Sequence, residues 1–394
     1  MLPRNAAVVY MTLGIGLKED FTGGRRPDEL DHAGVVSARS RWATPGHAPG
    51  RLATKGYPGA GARALNVALL YHDEGTLAGN YPEDSSGRDD NGTVPPVAEA
   101  LAGMGHNVKL VNMTLDAFER LRGMDIDVAF NLCDDGFGNE NATEPHVAAV
   151  LDILGLTYTG SGCKAMIVCL DKALAKRVIA NAGLPTPGFY LAESESDLNH
   201  GLKYPLIVKP SSEDASIGIR SDSVASSEAE LKKLVARVVR TYKQPALVEE
   251  YISGREFNVA ILGNDEPRAL PISEIEFDGL PENKRIVSYD AKWAEGSEEY
   301  RKTVPRCPAK ISDEMRARLV EVAIRAYKLL GIRGYGRVDI RADETGPYIL
   351  EVNPNPDLGM DAGFFRSAKA AGMTYPDLVK NILDLAVEGA RNGR

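Results

Sequence analysis

Three oxygen-bearing side chains, Asp339, Glu351 and Asn353, lie on two apolar segments, RVDIRA and PYILEVN, joined by the short connection DETG. Two such segments around so short a link predict a β-hairpin. Residues two apart on a strand share a face, which sets Glu351 beside Asn353, and a turn centred near Thr345 sets Asp339 opposite Glu351. Cross-strand Cβ atoms lie ~4.5 to 5.5 Å apart, so both carboxylates can reach one or two magnesium ions, which take oxygen ligands at ~2.0 to 2.1 Å. An exposed hairpin face is the plain structural alternative. Against it, two acids and an amide among Val, Ile and Leu, with Arg337 on the same strand face as Asp339, are costly to keep unless a cation binds.

Other groups carry weaker signals. Lys209 ends the strand-like YPLIVK and precedes SSEDASIG, a polar loop whose Ser212, Ser216 and Gly218 can offer hydroxyls and backbone N–H groups to phosphates. A strand-end lysine is as often a solvated edge. The chain has no G-x-x-x-x-G-K-[ST] segment and no G-x-G-x-x-G opening a helix after a strand, which disfavours a P-loop or a dinucleotide fold. In ALVEEYISGREF, Glu249, Glu250 and Glu256 can surround a nucleobase and a ribose, or simply edge a surface strand. His72 and His146 read as structural, and the four cysteines, without C-x-x-C spacing, as buried thiols.

The elements that must position these groups alternate early and mix later. LNVALLY, HNVKLVNM, DVAFNLC and LTYTG read as strands, with helices between them at VPPVAEALAGMG, LDAFERL and after Thr143, which makes a parallel sheet of about four strands. From Cys163 to Pro187 one helix is expected, stopped by Gly183. Then YPLIVKP, ALVEEYI, EFNVAIL and RALPISEI form a mixed α+β unit with the helix EAELKKLVARVV, and DEMRARLVEVAIRAYKLLG leads into the hairpin. The first 64 residues are Gly- and Pro-rich and net +4, whereas the other 330 carry −13 of the total −9. That opening tract reads as a disordered extension, a targeting peptide or an over-long translation start. Overall acidity argues against nucleic acid, no apolar run is long enough for a membrane span, and the absence of a secretory signal pattern leads to a cytoplasmic expectation.

Taken in order, Lys172, Lys209, Glu249, Glu256, Asp339, Glu351 and Asn353 resemble the ATP-grasp superfamily, most closely the D-alanine–D-alanine ligase family. The resemblance covers about residues 65 to 390 through TYTGSG, CLDKALAKRVIANAGLPTP, YPLIVKPSSEDASIG, LVEEYISGREFNVAIL, YDAKW, GYGRVDIRA, YILEVNPNP and AGMTYPDLV. It implies an amino-terminal α/β substrate domain at 65–162, a central ATP-grasp part at 163–270 and a carboxy-terminal part with the metal site at 271–394. It also implies that Lys172, Lys209 and Ser216 contact ATP phosphates, that Glu249, Glu250 and the backbone near Ile252 meet adenine, and that Glu256 meets ribose. Asp339, Glu351 and Asn353 would hold two magnesium ions, with manganese the alternative, Lys292 would lie on a closing loop, and Arg337 would stabilise an acyl phosphate. The activity implied is ATP-dependent joining of a small carboxylate to an amine, by a homodimer.

The substrate side departs from that family. The loop after the first strand, HDEGTLAGNYPEDSSGRDDNGT, is long and acid-rich, with Asp73, Glu74, Glu83, Asp84, Asp89 and Asp90, and no residue matches the family's glutamate. Ala215 and Trp293 stand where the family has a serine and a tyrosine. Asp357 replaces a glycine, and Ala362 the serine that holds the acceptor's carboxylate. Losing buried polar partners changes which substrate is accepted, so the expectation is a ligase of amino acids or related acids. A cell-wall D-alanine–D-alanine ligase is the alternative, and a nucleotide-binding regulatory protein without turnover the alternative of another class.

Overall fold

The computed structural model describes residues 63–72, 92–134, 136–137, 141–198 and 201–391. The chain divides into two units, 1–55 and 56–394, and every described residue belongs to the second. The extension expected over 1–64, apart from its last two residues, and the acidic positions between 73 and 90 lie outside the described residues.

The first elements alternate: β1 (Asn66–Tyr71), α1 (Val94–Gly103), β2 (Asn107–Asn112), α2 (Ala117–Gly123), β3 (Val128–Asn131) and α3 (Glu144–Leu154). The strands pair in parallel in the order β2-β1-β3. LTYTG joins only as an isolated bridge between Tyr158 and Ala129, so the described sheet has three strands where about four were expected. Both faces are covered, because alternate side chains of a buried strand enter different cores. Ala68, Leu70 and Ala129 pack on α2 and α3. Val67, Leu69, Val128 and Phe130 pack on α1 and on two helices from much later in the chain.

The expected single helix after Cys163 is two, α4 (Cys163–Leu170) and α5 (Lys172–Asn181). Asp171 lies between them in extended conformation, and its carboxylate accepts the Leu174 N–H at 2.9 Å, an N-cap that starts a new helix. Next come β4 (Phe189–Ala192), β5 (Leu206–Pro210), β6 (Val224–Ala225), α6 (Glu228–Tyr242) and β7 (Ala246–Glu250). Antiparallel pairing gives the order β4-β7-β5-β6, with Leu231, Leu234, Val235 and Val238 of α6 packed on it.

The last elements are β8 (Arg255–Leu262), β9 (Arg268–Ala269), β10 (Ser273–Phe277), α7 (Tyr289–Trp293), α8 (Glu298–Lys302), β11 (Thr303–Arg306), α9 (Asp313–Leu329), β12 (Tyr335–Ala342), β13 (Pro347–Asn353), α10 (Gly363–Ala370) and α11 (Tyr375–Arg391). Their sheet runs β11-β10-β8-β12-β13, with β9 also on β8. A boundary at residue 270 therefore cuts through this sheet, parting β8 from β12, its partner over eight residue pairs. The segment RALPISEI is broken into β9 and β10 at Pro271, which has no N–H to donate. The late helices that close the first sheet are α10 and α11, through Phe364, Phe365, Leu378, Val379, Ile382 and Leu383.

Candidate active site

A cleft of about 580 Å³ is lined by both antiparallel sheets, by the loop after β5, by α7 and by the segment after β13, a size suited to a small molecule or nucleotide. Lys172, Lys209, Ser216, Glu249, Glu250, Ile252, Glu256, Lys292, Arg337, Asp339, Glu351 and Asn353 all line it, whereas Ser212 and Gly218 of the same polar loop as Ser216 do not.

The hairpin of β12 and β13 sets Asp339 directly across from Glu351 and Arg337 across from Asn353. The register then slips, so that Ile340 pairs with Ile349 and Leu350 is the extra residue of a bulge. A bulge re-aims side chains, and here the successive residues Leu350 and Glu351 both line the cleft. Arg337 grips Asp339 with both arms, Nε and Nη2 each donating at 2.8 Å. Asn258 Nδ2 on β8 and Asn353 Nδ2 donate to the same carboxylate at 2.7 and 3.1 Å. Burial by itself would weaken the Arg337 cation, and Asp339 more than reverses that, holding its pKa above the usual guanidinium value.

Across the cleft, three lysines meet two glutamates. Lys172, in the first turn of α5, has Nζ 2.5 Å from Glu351 Oε1 and also donates to the Glu213 carbonyl oxygen. Burial pulls its pKa down, but Glu351 prevails and the net shift is upward. Glu249 is 1% exposed. Its Oε2 lies 3.2 Å from Lys176 Nζ, and its Oε1 faces Lys209 Nζ at 2.7 Å off hydrogen-bond alignment, an ion pair alone. Burial pushes the Glu249 carboxyl up, and the two lysines outweigh it, leaving its pKa below the ordinary range. Lys176 also donates to Thr186 Oγ1 at 2.9 Å, and burial brings its pKa down to about 8. Lys176 is absent from the sequence reading, although it stands four residues after Lys172, a spacing that puts both on one helix face.

Arg341, also unread in the sequence, organises the other wall. Its Nε donates to Glu256 Oε2 at 3.0 Å and its Nη1 to the Ile252 carbonyl oxygen at 2.9 Å, while its guanidinium lies 4.7 Å from the Tyr251 ring centre. Burial raises the Glu256 carboxyl above its ordinary pKa in spite of this partner. In the loop after β5, Ala215 and Ser216 adopt left-handed φ of 51° and 66°. The indole of Trp293, at the end of α7, donates to the Ala215 carbonyl oxygen at 3.2 Å, and the Tyr289 N–H donates to Ile219 O at 2.8 Å. The positions that lack the family's hydroxyls are thus joined by an indole-to-backbone bond.

Comparison with known proteins agrees with this geometry. A family model described as the D-ala D-ala ligase C-terminus matches residues 178–384, more than half of the chain. A D-alanine–D-alanine ligase of Carboxydothermus hydrogenoformans is 34% identical over 305 residues, covering 74% of this chain and 92% of that one. The uncharacterized protein y4sG of Sinorhizobium fredii is 34% identical over 275 residues, 70% of this chain and 77% of its own length. The crystal structure of a D-alanine–D-alanine ligase from Bacillus anthracis complexed with ATP shares the fold, with a TM-score of 0.65 at 22% identity over 84% of this chain and 100% of that one. Fold and relatives together define an ATP-dependent, ADP-forming ligase of the ATP-grasp type. The chain belongs to the D-alanine–D-alanine ligase family, and the resemblance read from its motifs holds.

Proposed function

We propose that the chain joins a small carboxylic acid to an amine through an acyl phosphate, and that its substrate pair differs from two D-alanines. One observation carries the reading: Arg337, Asp339, Glu351 and Asn353 share a cleft with Lys172 and Lys209. Phosphoryl transfer is driven by positioning and by charge at the transferring group. Lys172, Lys209 and the Ser216 loop grip the polyphosphate of ATP, and Lys292 joins them from α7. Glu250, the Ile252 backbone and Glu256 take the base and ribose, with Glu249 acting through the lysines it aligns. A carboxylate oxygen of the acid attacks the γ-phosphorus and the bond to ADP breaks. The amine then attacks the acyl carbon, phosphate leaves and the nitrogen loses a proton. Arg337, fixed by Asp339, faces the oxygens on which negative charge gathers.

Two carboxylates and an amide on neighbouring strand positions are hard oxygen donors of the kind magnesium takes. Asp339, Glu351 and Asn353 are the residues that would hold it, once the Asn353 amide turns its oxygen rather than its Nδ2 toward the ion. Bound there, magnesium supplies positive charge to the phosphate oxygens. The reading also makes the substrates small molecules, the protein cytoplasmic and, by family resemblance, a homodimer.

The relative from Carboxydothermus hydrogenoformans keeps D-alanine ligation as the second reading, and Asp357, Ala362 and Trp293 weigh against it. D-alanine-dependent ADP release that exceeds release with every other amino acid, hydroxy acid and amine pair would favour the second reading. For the ligase chemistry itself the test is Glu351→Ala, expected to abolish substrate-dependent ADP release while the circular dichroism spectrum and melting transition persist. Undiminished release in that variant would sink the metal assignment.

A further inference from the structure

A small chamber of about 30 Å³ opens off the cleft, the two sharing Asp134, Asn355 and Asp357 as a common wall. His72 just after β1, Thr93 just before α1, Asn131 at the end of β3 and Tyr335 of β12 supply polar groups to its other walls. One water needs ~10 to 15 Å³ of such space, so there is room for about two or three non-hydrogen atoms.

The observation that points to a ligand is His72. It is 6% exposed, it lines the chamber, and among the described residues neither of its ring nitrogens has a hydrogen-bond partner. A buried imidazole left so forfeits the bonds it had in water unless a bound molecule restores them. Its neighbours in the walls can bond the same molecule. Asn131 accepts the Cys133 N–H at 3.1 Å through Oδ1, which leaves its Nδ2 as the group it can offer. Thr93 stands at the N-cap of α1 without making a side-chain cap bond. Burial, followed by the charges of Asp134, Glu144 and Asp357, raises the pKa of Tyr335, so its hydroxyl stays a neutral donor.

These walls discriminate among chemical groups. A carboxylate would meet the charges of Asp134 and Asp357 in the common wall, and like charges in a confined site repel. An ammonium group carries donors only and would leave the Asn131 amide and the His72 N–H without an acceptor. An apolar group would satisfy nothing, and a single hydroxyl would fill only part of the space. A carboxamide has three non-hydrogen atoms at its end, an oxygen that accepts and an NH₂ that donates, which suits an imidazole needing one bond of each kind. Reach is no obstacle. Asn355 lies two residues past Asn353, at most ~7 Å along the chain, a span that a side chain of two or three carbons covers. Resting on the ligase reading above, we propose that the chamber selects one of the two substrates by a terminal side-chain carboxamide, and that His72 is the residue that reads it.

The experiment has two panels. The full-length protein with MgATP and hydroxylamine is scored for ADP and hydroxamate over D- and L-amino acids and hydroxy acids, which finds the activated acid without any natural amine. The best acid is then paired with the same amino acids as amines and scored for ADP. In one of the panels asparagine or glutamine is expected to exceed aspartate, leucine, homoserine and 2,4-diaminobutyrate about tenfold or more in kcat/KM, because a site built to hydrogen-bond a group rejects analogues that lack it. In His72→Phe that ratio falls to about threefold or less, chiefly through KM for the carboxamide; a histidine with a structural role alone would lower every substrate alike and leave the ratio intact. Should His72→Phe fail to fold, the isosteric Thr93→Val is read in its place, and the wild-type preference decides if neither folds. Turnover without a carboxamide preference in either panel, or an unchanged ratio in the folded variant, overturns the inference, the chamber then holding solvent, and leaves the ligase reading standing. No hydroxamate and no ADP with any acid overturns both.

Discussion

Lys176 is a lysine with almost no access to water, 1% exposed, lodged between Glu249 and Thr186. Removing one partner of a buried ion pair strands the other, so Lys176→Met is expected to cost about 3 kcal/mol in urea unfolding at neutral pH. The pH dependence has a definite sign. Burial takes this pKa from 10.5 to about 8, so the native state holds the proton less tightly than the unfolded chain. Below pH 8 both states are protonated and the group adds no slope. From there to the unfolded value the unfolded chain binds more protons, and stability rises with pH. The wild type should therefore gain on Lys176→Met as pH rises from 8 to 10, and parallel pH profiles would refute the assignment. Asp339, Glu351 and Asn353 were legible because a short turn brings their strands together and Glu351 and Asn353 alternate, but the bulge at Leu350 that sets Glu351 opposite Asp339 left no trace in the sequence pattern. Lys176 was not legible, because a helical lysine ordinarily points to water and only the fold reveals that this one faces β7.

At the level of elements, α7 and the loop after β5 are held together by Trp293 and Tyr289. The Trp293 bond is the kind worth about 1 kcal/mol, hence roughly fivefold in an equilibrium constant. Trp293→Phe keeps the ring and loses the donor. Its KM for ATP should rise by about that factor, with little change in melting because Trp293 is exposed; an unchanged KM would show that the bond does not hold the loop over the nucleotide. Sequence pattern gave the polar loop after β5, and the resemblance put Lys292 on a closing loop where the structure has the short helix α7; neither gave their junction, since an indole donating to a backbone oxygen leaves no periodic trace. The break between α4 and α5 was readable in principle. Asp171, directly before a run of helix formers, is an N-cap signal, overridden by the apolar continuity of the residues around it.

Across the whole molecule, chain order and core membership part company. Alternating strands and helices marked the first sheet, whereas the segment of α11 entered the sequence reading only through the motif AGMTYPDLV, and a one-sided helix does not name its partner. That partner is the sheet of β1 and β3, where Tyr375, Leu378, Val379, Ile382 and Leu383 are buried. At about 1.5 to 3 kcal/mol per large apolar side chain their burial sums to the order of 10 kcal/mol, as much as a domain's net stability. A chain truncated before Tyr375 is therefore expected to lose its melting transition and most of its soluble yield, and a cooperative melt in that variant would show that the first sheet stands alone.

The same shared core has a consequence for biosynthesis. β1 to β3 leave the ribosome long before α11 does, and at ~5 to 20 residues per second the delay is on the order of ten seconds or more. Through that interval one face of the first sheet lacks its late cover, a row of valine, leucine and phenylalanine side chains for a chaperone to bind. The nascent chain, rather than the finished enzyme, is where this fold is most exposed to aggregation.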